Sequence, residues 1–223
     1  MFTGLIEAVG HVAEVKSTGT GMRLRIRTTL APELAPGDSL AVNGVCLTVI
    51  LAEDGEVHAD VGPETARVTT IGSLRRDGAV NLERPMRADS RFDGHFVLGH
   101  VDGTGTLEDI RAEGDARWLT ISFREELAPY LIRKGSVAVD GISLTVAGLG
   151  ERRFDVMIIP FTWEHTNLRT LRVGGRVNLE CDMVGKYVAR AAELALVAST
   201  GHGDTHLRQG YGGQASPARA PKP

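Results

Sequence analysis

The sequence predicts a mainly β protein: two tandem six-stranded antiparallel β-barrels followed by a C-terminal α-helix. Three observations lead there. The chain repeats itself, since LAPELAPGDSLAVNGVCLTV (Leu30 to Val49) lies without a gap over LAPYLIRKGSVAVDGISLTV (Leu127 to Val146), with eleven of twenty positions identical at an offset of 97 residues. Aromatic residues make up 5% of the chain while Gly numbers 27 and Pro 9, a balance that suits turns and short strands better than a helical bundle. Apolar residues also alternate with polar ones over short runs, the period of a half-buried strand.

The first copy occupies residues 1–87. Leu24 and Ile26 alternate with Arg23, Arg25 and Arg27, and Pro36-Gly37, Asn43-Gly44, Asp54-Gly55 and Asp77-Gly78 interrupt the apolar runs often enough for six strands. Closing them into a small barrel removes exposed sheet edges. The charged stretch Arg84 to Asp93, with Pro85 inside it and Gly94 after it, reads as a linker. The second copy, 94–183, repeats the plan, with Leu119 and Ile121 alternating with Thr120 and Ser122 and breaks at Asp140-Gly141 and Gly174-Gly175. The offset of 97 carries Pro63 to Pro160, Thr65 to Thr162, Thr69 to Thr166 and Asn81-Leu82-Glu83 to Asn178-Leu179-Glu180. With a small slip, Gly4-Leu5-Ile6 falls on Gly99-His100-Val101. Over 184–198 the period becomes helical, with Tyr187, Ala191, Leu194 and Ala198 on one face and Lys186, Arg190 and Glu193 on another. That apolar face is expected either to meet its equivalent in another subunit or to pack back on its own barrel. Residues 199–223 are rich in Gly, Pro, Ser and Ala without periodicity and are expected to be disordered, with His202 and His206 as solvated tail residues rather than metal ligands.

Composition excludes several function classes. Net charge is −3 and no basic block is interleaved with aromatic residues, so no nucleic-acid partner is expected. No run approaches the roughly 20 apolar residues of a membrane span, and MFTGLIEAVG lacks the basic and apolar regions of a signal peptide, which points to no membrane and a cytoplasmic location. Cys46 and Cys181 are too few and too far apart for a disulfide framework or a zinc site and read as thiols. GTGM at Gly19 and GTGTLE at Gly103 lack the last glycine and the strand-to-helix setting of a dinucleotide fingerprint.

A duplicated fold makes two related pockets, and the differences between copies carry the chemistry. Cys46 is matched by Ser143, Leu5 by His100, Gly37 by Lys134, Glu64 by Phe161 and Asn43 by Asp140. Read copy by copy, this puts a thiol in one pocket and a hydroxyl, an imidazole and an ammonium in the other, so two related ligands could be treated differently. His100, with an unperturbed pKa near ~6.5, suits proton transfer. His95 and His100 are an odd number apart and would face opposite sides of one strand, which disfavours a shared metal. Cys46 and Thr48 share a strand face, as do Ser143 and Thr145.

MFTG at the start, NGVCLTV, GHFVLGHVDGTG, KGSVAVDGISLTV and RVNLECDMVGKYVAR occur in that order across residues 1 to about 190, and together they resemble the lumazine-binding tandem-repeat family of riboflavin synthase alpha chains. The resemblance implies Greek-key barrels, a homotrimer held by the C-terminal helix, and a site between the N-terminal barrel of one subunit and the C-terminal barrel of the next. It implies dismutation of two 6,7-dimethyl-8-ribityllumazine molecules by four-carbon transfer, with no external cofactor and no metal, and it adds lumazine synthase as a candidate partner. A non-catalytic antenna-type lumazine or flavin carrier of the same fold is the alternative, and the joint presence of Cys46, His100, Ser143 and Thr145 favours the enzyme.

On the same resemblance, catalysis would fall to His100, Ser143, Thr145, Cys46 and Asp182, although Asp182 could equally cap the following helix. Substrate contacts would come from Gly4, Leu5 and Ile6; from Cys46, Leu47 and Thr48; and from Asp60, Val61, Gly62, Pro63, Glu64 and Thr65. In the second copy they would come from Gly99, His100 and Val101; from Lys134; from Ser143, Leu144 and Thr145; and from Met157, Ile158, Ile159, Pro160, Phe161 and Thr162. Lys134 also reads as an ordinary solvated turn residue. Phe161 in place of Glu64, with Trp163-Glu164 behind it, departs from the family pattern in the second pocket.

Overall fold

A computed structural model of the chain describes residues 1–19 and 21–199. Strands β1 (Ala8–Thr18), β2 (Gly21–Arg27), β3 (Ser39–Val42), β4 (Val45–Glu53), β5 (Glu56–Val61) and β6 (Ala79–Glu83) close into a barrel in the order β1-β2-β5-β4-β3-β6. Strands β7 (Gly103–Glu113), β8 (Ala116–Ser122), β9 (Ser136–Val139), β10 (Ile142–Leu149), β11 (Arg153–Ile158) and β12 (Arg176–Cys181) repeat that order in a second closed barrel. Every adjacent pair is antiparallel, and β6 returning beside β3 makes the Greek key. Bulges between Val12 and Glu14 in β1 and between Leu107 and Asp109 in β7 fall at corresponding places, adding the local bend that closure of so small a barrel needs.

Alternation directs the apolar side chains inward. Leu24, Ile26, Leu40, Val49, Ile71 and Leu82 fill the first barrel, and Leu107, Leu119, Ile121, Phe154, Ile158 and Leu168 fill the second. The expected linker begins after β6 and runs without strand or helix, and Met86 N donates to Met1 O at 3.0 Å, so it turns back along the N-terminal segment.

The barrels are joined by an apolar contact and a polar one. Phe2 and Val97 exchange backbone hydrogen bonds of 2.7 and 3.1 Å and bury their side chains with Ala41 and Ala138. Beside them the two hairpin turns meet tip to tip. Asn43-Gly44 (φ 46° and 75°) and Asp140-Gly141 (φ 45° and 80°) both use the left-handed region at their two central residues, as the tight hairpin turn requires. A Cβ on Gly44 would lie 2.7 Å from Gly141 N, and one on Gly141 would lie 2.7 Å from Gly44 N, so only glycine allows the approach.

A helix α3 (Met183–Ser199) follows the second barrel. Asp182 Oδ1 accepts from Val184 N at 3.0 Å, Lys186 pairs with Asp102 at 2.7 Å, and Gly185 packs on the Tyr130 carbonyl, so its first turn is anchored to the barrel. Beyond that turn it leaves the barrel, and Tyr187, Val188 and Leu194 are exposed. Residues 200–223, with His202 and His206, lie outside the described residues.

Candidate active site

The repeat pattern brings the expected residues together, but in exchanged pairs. Ser143 N donates to Gly4 O at 2.8 Å, and Cys46 N donates to Gly99 O at 3.0 Å. The segment leading into each barrel therefore crosses to the hairpin of the other barrel. Ile6 packs against the core of the second barrel and Val101 against the core of the first. The crossing is tight, because a Cβ on Gly4 would lie 2.6 Å from Ser143 Cβ and one on Gly99 would lie 2.5 Å from Cys46 Cβ. Both glycines have φ of +79°, so close approach and backbone conformation exclude other residues together.

This exchange corrects the copy-by-copy allotment of the reactive groups. The segment bearing His100 lies along the Cys46 hairpin, and the imidazole at Ser143 belongs to His95. His95 Nδ1 and Ser143 Oγ are 2.7 Å apart, both at least partly buried. His95 Nε2 is buried with no hydrogen-bond partner among the described residues. Burial pushes the His95 pKa down, opposed by the negative charge of Asp182. A neutral imidazole against a hydroxyl can polarise it or pass a proton through it, which is the pairing nucleophilic and general-base chemistry use. The segment 95–100 is not a regular strand and makes one isolated bridge, at Val97, so the argument that its two histidines face opposite sides of a strand does not apply. The offset of 95 that pairs Leu5 with His100 sets no residue of this sequence against His95. Comparing copies could not single it out.

Most of the remaining candidates fall on the rims of the barrels, whereas Leu47 and Val61 are buried in the first core and Ile158 in the second, which leaves those side chains packing roles. Asp60, Val61 and Gly62 line a recess of 270 Å³ with Arg23, whose two-pronged pairing with Asp60 at 2.7 and 2.9 Å lowers the carboxyl's pKa. Pro63 begins a short helix α1 (Pro63–Val68) in which Glu64 pairs with Arg67 and Thr65 O accepts the Thr69 hydroxyl. In the second barrel Pro160 begins α2 (Pro160–Glu164), where Phe161 stacks on His165 at 4.1 Å and Trp163 lies under the Arg117 guanidinium. Leu47, Thr48, Leu144 and Thr145 follow Cys46 and Ser143 along β4 and β10. Leu5 lines a cleft of 680 Å³ together with Thr3, Glu7, Glu83, Arg84 and Arg87.

Lys134 has φ +68° where the first copy has Gly37 at +98°. A lysine held in the left-handed region marks a strained position, of the kind that concentrates at functional sites. Asp182 caps α3 while its charge reaches His95, so the two readings of this residue are compatible. Leu5, Met157, Ile159 and Phe161 are all exposed, Phe161 to 67%, which leaves an apolar rim on the second barrel open to solvent.

Two closed Greek-key barrels in tandem, with the Cys46 and Ser143 hairpins bridged by exchanged leading segments, define a duplicated fold. The lumazine binding domain model matches it twice, over residues 3–85 and 98–182. The chain belongs to this family, within its riboflavin synthase group. It is 44% identical over 191 residues to the riboflavin synthase of Bacillus amyloliquefaciens, covering 85% of this chain and 89% of that one. It is 46% identical over 200 residues to that of Mycobacterium bovis, covering 87% and 100%. Among solved structures it resembles LumP complexed with riboflavin, with a TM-score of 0.76 and 23% identity over 81% of this chain and 99% of that one, a likeness of fold.

Proposed function

We infer that this chain is an enzyme that dismutates two molecules of 6,7-dimethyl-8-ribityllumazine, moving a four-carbon unit from one to the other to form riboflavin and 5-amino-6-(D-ribitylamino)uracil. The observation that carries the reading is 42–46% identity to riboflavin synthases over most of the chain. The residues present suit the chemistry. Two unequal sites allow identical molecules to act as donor and acceptor, and holding them face to face supplies much of the acceleration. The His95 and Ser143 pair, with Asp182 close by, can deliver a nucleophile to one ring and handle its proton. His100, on the segment against Cys46, offers an exposed imidazole for proton transfer at the other.

A homotrimer belongs to the same proposal. Its supports are the apolar side chains that α3 exposes after its first turn and the exposed rim around Phe161, surfaces that a neighbouring subunit would cover. The cytoplasmic setting and the lumazine synthase partner rest on the family resemblance, beside the finding that among the described residues no helix is long and apolar enough to cross a membrane. The test is to give the purified protein 6,7-dimethyl-8-ribityllumazine alone and follow riboflavin absorbance. One riboflavin formed for every two substrate molecules consumed supports the enzyme. Bound, fluorescent lumazine without turnover would instead identify a carrier.

A further inference from the structure

Each barrel ends in a buried carboxylate that the chemistry above does not use. Glu83, the last residue of β6, is 4% exposed, and Glu180 in β12 is 3% exposed. Among the described residues neither takes part in an ion pair. Each is satisfied by the backbone of the segment leading into its own barrel. Glu83 Oε1 accepts from Thr3 N at 2.6 Å and from the Thr3 hydroxyl at 2.7 Å, and Oε2 accepts from Gly4 N at 3.0 Å. Glu180 Oε1 accepts from Leu98 N at 2.7 Å, and Oε2 accepts from Gly99 N at 3.0 Å. Burying a carboxylate is expensive unless such donors surround it, and two or three charge-assisted hydrogen bonds fix a loop far more firmly than neutral ones.

The glycines held in this way are the ones that cross to the other barrel. The N–H of Gly4 is on Glu83 while its carbonyl takes Ser143 N, and the N–H of Gly99 is on Glu180 while its carbonyl takes Cys46 N. We propose that Glu83 and Glu180 are positioning residues acting across the barrel boundary: Glu180 of the second barrel sets the Cys46 hairpin of the first, and Glu83 of the first sets the Ser143 hairpin of the second. Among the described residues every donor to either carboxylate belongs to its leading segment, the Thr3 hydroxyl included, so neither can relax without releasing the loop. The two sites are thereby tied into one unit without direct contact between the reactive side chains.

Thiol modification tests this independently of turnover. Cys46 is partly exposed, whereas Cys181 is buried with its pKa pushed up to about 12, so a small thiol reagent at neutral pH reads Cys46. Glu180→Gln keeps the shape but turns one acceptor into a donor facing an N–H. The rate at Cys46 rises about tenfold, the scale of losing one charge-assisted hydrogen bond. Glu83→Gln makes the same change on an equally buried carboxylate and moves that rate less than about twofold, because its loop touches the other hairpin. An equal rise in both variants, or in neither, overturns the proposal. If Glu180→Gln does not fold, hydrogen exchange on the unaltered protein decides: Leu98, Gly99 and Cys46 amides exchanging together and slowly support it, and Leu98 and Gly99 exchanging as open-loop amides refute it. The consequence for turnover rests on the riboflavin-forming reading, under which Glu180→Gln lowers kcat more than it raises KM. Unaltered protein that makes no riboflavin defeats that reading, while the thiol result still judges the positioning role.

Discussion

Asp140 lies at the centre of the contact between the barrels, and its replacement by Asn tests how that contact is held. The residue is buried, with Oδ1 accepting from Asn178 N at 2.8 Å and Oδ2 from Asn167 Nδ2 at 2.9 Å. Desolvation pushes its pKa from 3.8 to about 6, those hydrogen bonds opposing the rise. The native state thus keeps a proton up to about pH 6 that the unfolded chain releases near 3.8. Between those values the folded state binds more protons, so this group's contribution to stability falls as pH rises, and above about 6 its full cost of about 3 kcal/mol applies. The first copy solves the same problem with Asn43, whose Oδ1 accepts from Asn81 N at 2.7 Å. Asp140→Asn abolishes the pH-dependent cost but turns an amide N–H₂ toward Asn167 Nδ2, which costs about 1–3 kcal/mol. The variant should therefore be less stable than the parent near pH 4 and equal or better near pH 8. Urea unfolding at one protein concentration, from about pH 4 to about pH 8, measures this as a difference from the parent, so that Glu83 and Glu180, whose pKa values burial also raises, cancel. Parent and single-variant curves that run parallel across that range would refute the account.

Ser143→Ala leaves His95 with neither ring nitrogen bonded, so kcat should fall by about 10²-fold or more, the scale of a general-base contribution, while lumazine binding measured by fluorescence changes little. Equal kcat in parent and variant removes the pair from the chemistry. Phe2→Ala empties the apolar centre between the barrels and should cost about 3–5 kcal/mol in urea unfolding; a loss below about 1 kcal/mol would mean that the hydrogen bonds across the boundary, from Asn81 Nδ2 to the Asp140 carbonyl and from Asn178 Nδ2 to the Asn43 carbonyl, join them without it. Removing residues 184–223 takes away the exposed apolar face of α3, and sedimentation should then show monomers with little turnover. A truncated protein that stays oligomeric and active would place the interface elsewhere.

Much of the architecture was legible in the residues because it is local and repeated. Alternating Leu24 and Ile26, turns at Asn43-Gly44 and Asp140-Gly141, and a period change after Asp182 each depend on a few neighbouring positions, so strand content, barrel duplication and the C-terminal helix followed from pattern. The reactive candidates Cys46 and Ser143 emerged because the copies differ there. Comparison of copies also carried an error, since it assumed that each copy builds its own pocket. Gly4 and Gly99 instead hydrogen-bond to the opposite hairpin, a pairing that depends on two closed surfaces meeting at Phe2, Val97, Ala41 and Ala138.

The sequence alone thus determined what each barrel is made of and which side chains could react: these follow from short-range periodicity and from identity between copies. Tertiary structure decided which groups face one another. His95 reaches Ser143, the His100 segment lies on Cys46, and Glu83 and Glu180 hold the crossings. The physical reason is that these contacts join residues about 50 to 140 positions apart through carbonyls, amides and two buried carboxylates, groups whose partners are chosen by tertiary packing and leave no period in the chain.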